Sequence, residues 1–488
     1  MHSKAIETSV AVEKAHDELI EVEVNLEKLS ASQTYDYSGA TSKTDPAEIA
    51  LVRKLDCRIM PMIWAMYFMN YLDKQAIASA RLNKLEDDIG LTGSEYNTCI
   101  SILFVGYLLM QLPSNMLMAS KRIRPSIYMG CCMALWAVCS ACTALVQNYH
   151  GLLIARFFLG VAEAPFYPGA LFLLSIFYTR KEIATRIAIL YSANILSTAF
   201  SGLIAAAIFS TIDGAHGIEG WRWLFIIEGS VTFGIALLSM WALPDHPSST
   251  RWLSEGEMAI AQERIARDTV EKTQSQSALQ SLKIAFSDPR LYLLALMQNL
   301  HLSAAGFNNF FPTVVGTLGF DRTVTLALTC PPFIFAAIFG PLLALSSGRF
   351  NERTWHITAG MAMGVAGFVI AAATLNTAAR YVACFLFSAG VYSVNSCILG
   401  WVSATLGQTT EKKAISLGFV NIVANASYIY TPYLYPSSDG PRYLPAMGAN
   451  AGFATGTVIC AWVLKVWLMA ENKKLKASSR DGGLAYAY

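Results

Sequence analysis

CRIMPMIWAMYFMNYLDKQAIASA, residues 57–80, is a mostly apolar run that carries the adjacent charges Asp73 and Lys74 near its end. The run is long enough to cross the ~30 Å hydrocarbon core of a bilayer, which takes about 20 apolar residues as a helix. A charged group at membrane depth costs at least ~2.5–3.5 kcal/mol on insertion scales, so two adjacent charges are rarely incidental. We therefore expect something to bind, release a proton or cross at this position.

The composition of the whole chain is that of a membrane protein. Of its 488 residues, 54% are hydrophobic and only 14% are charged, and the mean hydropathy is +0.42. Soluble domains usually carry about a quarter charged residues. The net charge of +2 gives no indication of a nucleic-acid partner. The C-x-x-C of Cys139 and Cys142 has no nearby His or acidic residue, so packing is favoured there over metal or redox chemistry.

Twelve apolar runs of similar length recur along the chain, separated by polar interruptions. They predict an all-α membrane protein with twelve transmembrane helices, at 57–80, 96–118, 126–146, 152–178, 186–210, 221–243, 291–315, 324–346, 356–375, 381–405, 413–434 and 449–470. Several runs contain Gly and Pro, which membrane helices tolerate better than soluble helices do.

The longest interruption divides the runs six and six and sets the predicted domains. Residues 1–52 are polar and lack the apolar core of a signal peptide, so we expect a disordered cytoplasmic tail. Two six-helix bundles, 53–244 and 289–471, flank a cytoplasmic linker, 245–288, whose mixed apolar and charged residues suit an amphipathic surface helix. Residues 472–488 are expected to form a second cytoplasmic tail. Two six-helix halves around a midplane site are the architecture of secondary transporters.

Basic residues indicate the orientation in the membrane. Lys and Arg are concentrated in the connections after the even-numbered runs, such as Lys121, Arg122 and Arg124 after the second. Basic loops stay on the cytoplasmic side, so both termini are expected there.

Six short motifs, spread over most of the chain, are recognisable together. They are Tyr-Leu-Asp-Lys (71–74), Gln-Leu-Pro-Ser-Asn (111–115), Ala-Arg-Phe-Phe-Leu-Gly-Val-Ala-Glu-Ala-Pro-Phe-Tyr-Pro-Gly (155–169), Gly-Trp-Arg-Trp-Leu-Phe-Ile-Ile-Glu-Gly (220–229), Leu-Pro-Asp-His-Pro (243–247) and Asp-Gly-Pro-Arg-Tyr-Leu-Pro (439–445). Through them the chain resembles the fungal allantoate and nicotinate permease branch of the anion:cation symporters, within the major facilitator superfamily. It departs from the superfamily's Gly-x-x-x-Asp-Arg loop, in whose place Ser120 to Pro125 stands.

The resemblance implies a transporter rather than an enzyme, one that takes up a small organic anion together with a proton. Carboxylates and vitamins such as nicotinate, allantoate and pantothenate are the implied substrates, the plasma membrane is the implied location, and a monomer is the implied form. Distantly related sugar-acid symporters and sialin share a basic residue in the first helix and an acidic residue in the fourth. The sequence contains no Walker-type phosphate loop, nucleophile elbow or metal-ligand cluster, so no ATP, cofactor or metal is expected.

Two other functions stay open at this point. An exporter, for example of a secondary metabolite, could use the same acidic residues for proton antiport. A non-transporting nutrient sensor would have to signal through tails that are short.

Lys74 and Glu163 are the candidates for binding the anion and carrying the proton. In a water-filled cavity Lys74 would offer a compact cation to a carboxylate; the alternative is a permanent ion pair with Asp73 or a neighbouring acid. Glu163 lies about midway along the fourth predicted helix, with no basic residue four positions later. Without a basic partner on its own helix, the carboxyl group of Glu163 can bind and release a proton. The alternative is a carboxyl group that stays protonated and serves only in packing.

Arg156 is expected to pair with Asp73. It precedes Glu163 by two turns on the same helix face, which is about 10.5 Å along the axis at 1.5 Å per residue. Its depth is therefore similar to that of Asp73. We predict an Asp73–Arg156 ion pair that proton binding at Asp73 would break, with a purely structural salt bridge as the alternative. Asp73, Arg156 and Glu163 are thus the predicted proton-coupling residues.

The second half of the chain supplies amides rather than charges. The predicted substrate contacts are Asn308 and Asn309 in the seventh helix, Asn395 in the tenth, and Asn421 and Asn425 in the eleventh. Such amides can instead form hydrogen bonds between helices.

Three further polar positions are assigned structural roles. His301 is expected to be an interhelical histidine with a hydrogen-bond partner. Glu228 and Asp245 follow the pattern of the resembling family and are expected to be structural groups at the membrane edge.

Overall fold

The computed structural model describes residues 45–118, 123–268, 278–406 and 410–478, and this part of the chain contains helices and no strands. Twelve long helical segments, α1 to α12, occupy the positions of the twelve apolar runs. They are α1 Pro46–Arg81, α2 Glu95–Met118, α3 Pro125–Cys142, α4 Tyr149–Glu163 continued by Phe166–Phe177, α5 Arg180–Ile212, α6 Gly220–Ala242, α7 Pro289–Ala304 continued by Ala305–Phe310 and Phe311–Gly316, α8 Arg322–Leu328 continued by Cys330–Phe350, α9 Thr354–Ala373, α10 Thr377–Thr405, α11 Thr410–Asn425 continued by Ser427–Tyr430, and α12 Leu444–Ser478.

Nine helices in the described ranges are long and apolar enough to cross a membrane. The segments α1, α2 and α7 are not among the nine. All three nevertheless pack inside the helical bundle, and α1 contributes a long series of buried residues to its core.

The first and last helices are longer than predicted, which corrects the tail boundaries. Asp45 accepts a hydrogen bond from the backbone N–H of Ala47, and Pro46 occupies the first turn, so α1 begins at Pro46, ahead of the predicted helix start at residue 57 and of the predicted bundle start at residue 53. The helix α12 continues to Ser478, beyond the predicted end of the second bundle at residue 471. Of the expected tails 1–52 and 472–488, residues 1–44 and 479–488 lie outside the described residues.

Two helices are interrupted inside the bundle. The fourth breaks after Glu163, where Pro165 lacks the N–H that a continuous helix would use. The seventh changes to a 3-10 turn over Ala305–Phe310, which overlaps Asn-Asn-Phe-Phe-Pro (308–312), a sequence that favours a break in a membrane helix. Both interruptions lie beside the space between the two halves of the molecule.

Each half is held together by close helix packing. In the second half, α9 and α10 approach at Gly360 and Gly364, and a Cβ placed on Gly390 would come within 2.6 Å of the Gly364 nitrogen. Small residues four positions apart permit this approach between membrane helices. In the first half, the main contacts are α3 with α6, α2 with α4 and α1 with α5.

The two halves meet at the face of the bundle opposite the start of α1 and the end of α12. We call this the far face, and the other the terminal face. At the far face, Arg81 donates to Ser437 (2.9 Å), and Ser101 donates to the carbonyl of Ile429 (2.8 Å). Gly202 of α5 lies directly against α8 at Leu326. The far face is therefore closed.

The linker packs against the first half at the terminal face. Its helix Glu255–Asp268 carries Arg264, which is buried and pairs with Glu48 of α1 and Glu182 of α5. Lys54 of α1 pairs with Glu257 at 2.8 Å. The predicted linker helix thus exists, and ion pairs fix it to the N-terminal bundle.

Candidate functional site

A cavity of about 120 Å³ lies between the two halves at the middle of the bundle. Both halves contribute to its wall, and the lining combines one ion pair, several amides and many tyrosines. The lining residues are Tyr67, Asn70, Tyr71, Lys74, Tyr107, Glu163, Tyr167, Tyr191, Asn194, Gln298, His301, Leu302, Ala305, Asn308, Val391, Tyr392, Asn395, Leu399, Asn421, Asn425 and Tyr428.

An ion pair between Lys74 and Glu163 is the charged feature of this wall. The Lys74 Nζ lies 3.1 Å from Glu163 Oε2 and donates a hydrogen bond of 3.0 Å to Asn70 Oδ1. The same ammonium lies 5.0 Å from the ring centre of Tyr71 and 5.1 Å from that of Tyr107. Rings at this distance attract a cation. The lysine side chain keeps 14% exposure, whereas that of Glu163 has none.

Local structure explains how these two residues meet. Asn70 and Lys74 are four residues apart on α1 and so project from the same face. Glu163 is the last residue before the break in the fourth helix. Gly160, one turn earlier, lies so close to Leu103 of α2 that a side chain there would overlap the Leu103 carbonyl. The missing side chain brings α4, and with it Glu163, into the centre of the first half.

Tyrosines form much of the remaining wall, and the sequence pattern does not predict most of them. Seven line the cavity: Tyr67, Tyr71, Tyr107, Tyr167, Tyr191, Tyr392 and Tyr428. Tyr67 stacks on Tyr167 with ring centres 5.5 Å apart. Tyr428 of α11 stacks on Phe104 of α2 at 4.5 Å, which joins the two halves on the far-face side. Tyrosine is common in apolar runs, so a one-dimensional pattern does not distinguish these residues from packing aromatics.

The second half supplies amides to the cavity, and one of them bridges the halves. Asn395 donates to the Tyr191 hydroxyl of α5 at 3.0 Å and accepts from Gln298 at 2.8 Å. Asn425 donates to Asn421 at 2.9 Å, so these two amides act as a unit on α11. Four of the five asparagines predicted as substrate contacts line the cavity, namely Asn308, Asn395, Asn421 and Asn425.

Asn309 does not lie in the cavity wall, contrary to the prediction. It follows Asn308 in a 3-10 turn, in which successive residues point about 120° apart. One of the two asparagines therefore faces the cavity while the other faces away. His301 also lines the cavity, and its Nε2 bonds to the carbonyl of Val391 at 2.9 Å, which agrees with the expected interhelical histidine.

The predicted Asp73–Arg156 ion pair is wrong for this structure. Asp73 is fully buried and accepts hydrogen bonds from Trp136 (3.2 Å), Ser140 (3.0 Å) and Thr232 (3.1 Å) on α3 and α6. The reason is helical phase: Asp73 points about 100° away from Lys74, toward α3 and α6 and not toward the cavity.

Arg156 is buried as well, with 1% exposure. Its three guanidinium nitrogens have no hydrogen-bond partner among the residues that the structure describes. Neither Asp73 nor Arg156 belongs to the described lining of the cavity.

The two acidic residues expected at the membrane edge differ from each other. Asp245 lies after α6 and accepts from Arg124 Nε (2.8 Å) and from the Ser126 hydroxyl (2.6 Å), which ties the end of α6 to the start of α3. Glu228 lies inside the first half and has only 3% exposure, so its expected edge position is wrong. Its location follows from the length of α6, which begins at Gly220, eight residues earlier.

The central cavity thus lies between two six-helix halves, and the far face of the bundle is closed. Residues 63–432 match the family description "Major Facilitator Superfamily". The chain belongs to the Major Facilitator Superfamily. It is 31% identical over 434 residues to the major facilitator-type transporter hxnP of Emericella nidulans, covering 88% of this chain and 87% of that protein. It is 31% identical over 467 residues to the MFS-type transporter cnsO of Penicillium expansum, covering 92% and 87%.

Two solved transporter structures have a similar fold. A bacterial homologue of the human lysosomal transporter Spinster, inward-facing and unoccupied, matches with a TM-score of 0.65 at 15% identity, over 87% of this chain and 96% of that one. A D-xylose–proton symporter matches with a TM-score of 0.61 at 14% identity, over 82% and 96%. The protein is therefore a multi-pass membrane transporter of this superfamily and not an enzyme.

Proposed function

We propose that this transporter carries a small organic anion into the cell together with a proton, as an anion:cation symporter of the plasma membrane. A carboxylate or a vitamin such as nicotinate, allantoate or pantothenate is the proposed substrate class. The observation that carries the proposal is the Lys74–Glu163 ion pair in the cavity wall. This pair joins the anion site and the proton site in one interaction.

The chemistry follows from the charges that surround the pair. A buried cation that loses its partner is strongly destabilised, by about 3–5 kcal/mol. Protonation of Glu163 removes the negative partner of Lys74, and a substrate carboxylate in the cavity then replaces it. Each binding event favours the other, because the free energy of coupling between two sites is reciprocal. Proton and anion are therefore carried together.

The polar groups around the pair suit a small planar or branched carboxylate. Asn308 of α7 and Asn395 of α10 offer amide groups from the second half of the wall. The tyrosine hydroxyls and ring faces provide further hydrogen bonds and an apolar surface for the remainder of the substrate. The ammonium of Lys74 provides the charge, and the amides from the opposite half fix the orientation.

Alternating access requires the far face and the terminal face to open in turn. The far face is closed by several contacts between the halves, including the hydroxyl pair of Thr98 and Tyr433 at 3.1 Å. On the terminal side of Lys74, the hydrogen bond between Tyr191 and Asn395 spans the halves. We assign the terminal face to the cytoplasm, because the basic residues of the chain are concentrated in the connections on that side. The transporter acts as a monomer in this proposal, with one pathway in each chain.

Labelled uptake in cells that lack their own permeases tests the proposal. The substrates to screen are nicotinate, allantoate, pantothenate, biotin and dicarboxylates, each with and without a protonophore. We expect at least one carboxylate to accumulate in expressing cells and the protonophore to abolish its accumulation. Accumulation that ignores the proton gradient would contradict proton symport, and faster loss of a preloaded carboxylate would indicate export instead.

A further inference from the structure

A second cavity, of about 660 Å³, lies at the terminal face of the second half. Its wall is formed by the start of α7, the start of α11, the end of α12 and the linker helix Ala278–Phe286, which we call the second linker helix. Among the described residues, this cavity and the central cavity share no lining residue. Its volume falls within the range of about 300–1,000 Å³ that is usual for ligand-binding pockets.

Four charged side chains of the wall neutralise one another. The carboxylate of Asp288 accepts hydrogen bonds from Arg290 Nη2 at 2.8 Å and from Lys412 Nζ at 2.7 Å. The carboxylate of Glu471 accepts from Arg290 Nη1 at 2.9 Å and from Trp467 Nε1 at 3.1 Å. Two carboxylates thus face two cationic groups, and both carboxylates are already bonded to donors. The acidic residues of the wall therefore leave no net negative charge that would repel an anion.

Two exposed lysines add positive charge to this neutral cluster. Lys283, in the last turn of the second linker helix, lines the cavity, and its ammonium has no hydrogen bond or ion pair with any residue that the structure describes. Lys474 follows Trp467 by seven residues and Glu471 by three, so it lies on the same face of α12, one turn beyond the cavity wall. The cavity is therefore complementary to an anion.

Aromatic residues indicate the depth of the cavity in the membrane. Tyr292, near the start of α7, is 50% exposed, and its hydroxyl donates to the carbonyl of Phe286 at 2.9 Å. The rings of Tyr292 and Phe286 both pack on Phe419 of α11, with centres 6.1 Å and 5.0 Å away. Tyrosine and tryptophan are enriched where a membrane meets water, and Trp467 lies in the cavity wall itself. The cavity therefore lies at the level of the lipid head groups.

The second linker helix has the properties of a helix on a membrane surface. It packs on α11 and α7, and Ala285 is buried in that contact. Leu282 and Phe286, one turn apart, are 39% and 37% exposed. A helix that carries exposed apolar residues beside a lysine can contact acyl chains and a charged head group together. A soluble anion would use only the lysine, whereas an anionic lipid would use both.

We propose that this cavity binds the head group of an anionic phospholipid, with Lys283 and Lys474 attracting its charge and Leu282 and Phe286 contacting its acyl chains. The terminal face is the cytoplasmic face in the orientation proposed above, and the cytoplasmic leaflet is the one that carries anionic lipids. The lipid joins the second linker helix to α12. The inference requires neither a substrate nor a proton and so is independent of the proposed symport.

Native mass spectrometry of the full-length protein in detergent tests the site. The probe is an equimolar mixture of phosphatidylserine and phosphatidylcholine with the same acyl chains. We expect the wild type to bind phosphatidylserine in preference to phosphatidylcholine. Each basic residue near a membrane surface contributes about fivefold in affinity, so Lys283→Gln and Lys474→Gln each weaken phosphatidylserine binding about fivefold, and the double variant about 25-fold.

Two further variants separate the site from general charge and from folding. Arg251→Gln removes an exposed positive charge from the terminal face of the first half and is expected to leave phosphatidylserine binding unchanged. Lys283→Arg keeps the charge in the cavity wall and is expected to retain binding. Unchanged phosphatidylserine binding in the double variant, or equal binding of both lipids by the wild type, would overturn the proposal. Displacement of phosphatidylserine by an equal concentration of inorganic phosphate would assign the cavity to a soluble anion and overturn it as well.

Discussion

Lys74 and Glu163 lie 3.1 Å apart in the wall of the central cavity, although almost ninety positions separate them in the chain. Lys74 is the partner with exposure to the cavity, and Glu163 is entirely buried behind it. An anion in the cavity can therefore contact the Lys74 ammonium directly. The buried Glu163 carboxyl group can instead gain or lose a proton. In the proposed mechanism, Lys74 recognises the anion and Glu163 couples transport to the proton.

Replacing the lysine is expected to weaken anion binding. Lys74→Gln removes the charged donor, which is worth about 1.5–3 kcal/mol, so the half-saturating concentration of the substrate rises by about 10- to 150-fold. Lys74→Arg keeps the charge and loses less. Counterflow at fixed pH measures this, since exchange does not depend on net proton movement. The matched control is Lys54→Gln, which breaks a pair at the linker and leaves affinity unchanged. An unaltered affinity in Lys74→Gln would remove the lysine from the anion site.

Filling the contact between the halves is expected to open the far face. A Cβ on Gly202 of α5 would overlap the carbonyl of Leu326 and the hydroxyl of Thr329 on α8. Overpacking of this kind costs about 1–3 kcal/mol, here only in the conformation with the far face closed. Gly202→Ala therefore shifts the population toward the conformation that is open at the far face.

Spin labels at Ser94 and Ser438, on opposite halves of the far face, measure this shift in a cysteine-replaced background. We expect longer distances in Gly202→Ala than in the parent protein. Gly234→Ala is the control, because a Cβ on Gly234 meets no atom within 4 Å. Identical distance distributions in all three proteins would contradict a gate at Gly202.

The ion cluster at the start of α7 is expected to make stability depend on acid pH. Burial raises the pKa of Asp288, but hydrogen bonds from Arg290 (2.8 Å) and Lys412 (2.7 Å) outweigh it and hold the pKa at about 2. Because this pKa lies below the ordinary value of about 3.9, the stabilisation is present above about pH 4 and is lost as the pH falls toward 2.

Asp288→Asn therefore loses about 1–2 kcal/mol of stability at neutral pH, and its difference from the wild type narrows below about pH 4. Thermal unfolding of the purified protein over this pH range measures the difference. The exposed Glu255→Gln serves as control and is expected to follow the wild type. A difference between Asp288→Asn and wild type that stays constant from neutral pH to pH 2 would disprove the role of the ionised carboxylate.

The spacing of apolar and charged residues predicted the helices that carry charges, and with them the fold. The length of an apolar run and the face of a helix on which a residue lies are both local properties of a sequence. Lys74 and Glu163 were selected for a similar reason: a charge inside an apolar run is conspicuous without knowledge of its neighbours. The break in α7 could also be predicted, since the Asn-Asn-Phe-Phe-Pro sequence cannot continue a regular helix easily. The superfamily is confirmed by the sequence match over 63–432.

Contacts between helices could not be predicted in the same way. Equal depth suggested an ion pair of Asp73 with Arg156, but pairing also depends on the direction in which each helix face points. Asp73 turns toward Trp136 and Thr232, which are distant in sequence. The cavity tyrosines were missed because nothing in a single apolar run shows which aromatic residue faces a cavity.

The most direct test of the coupling mechanism compares two kinds of transport in the same vesicles. Purified wild type and Glu163→Gln are reconstituted, and uptake of the carboxylate found by the cell screen is measured under a pH gradient and as counterflow without one. The wild type is expected to perform both, and Glu163→Gln to retain counterflow but to lose accumulation driven by the gradient, with Glu257→Gln of the linker as control. Accumulation by Glu163→Gln at the wild-type level would contradict the claim that Glu163 carries the proton.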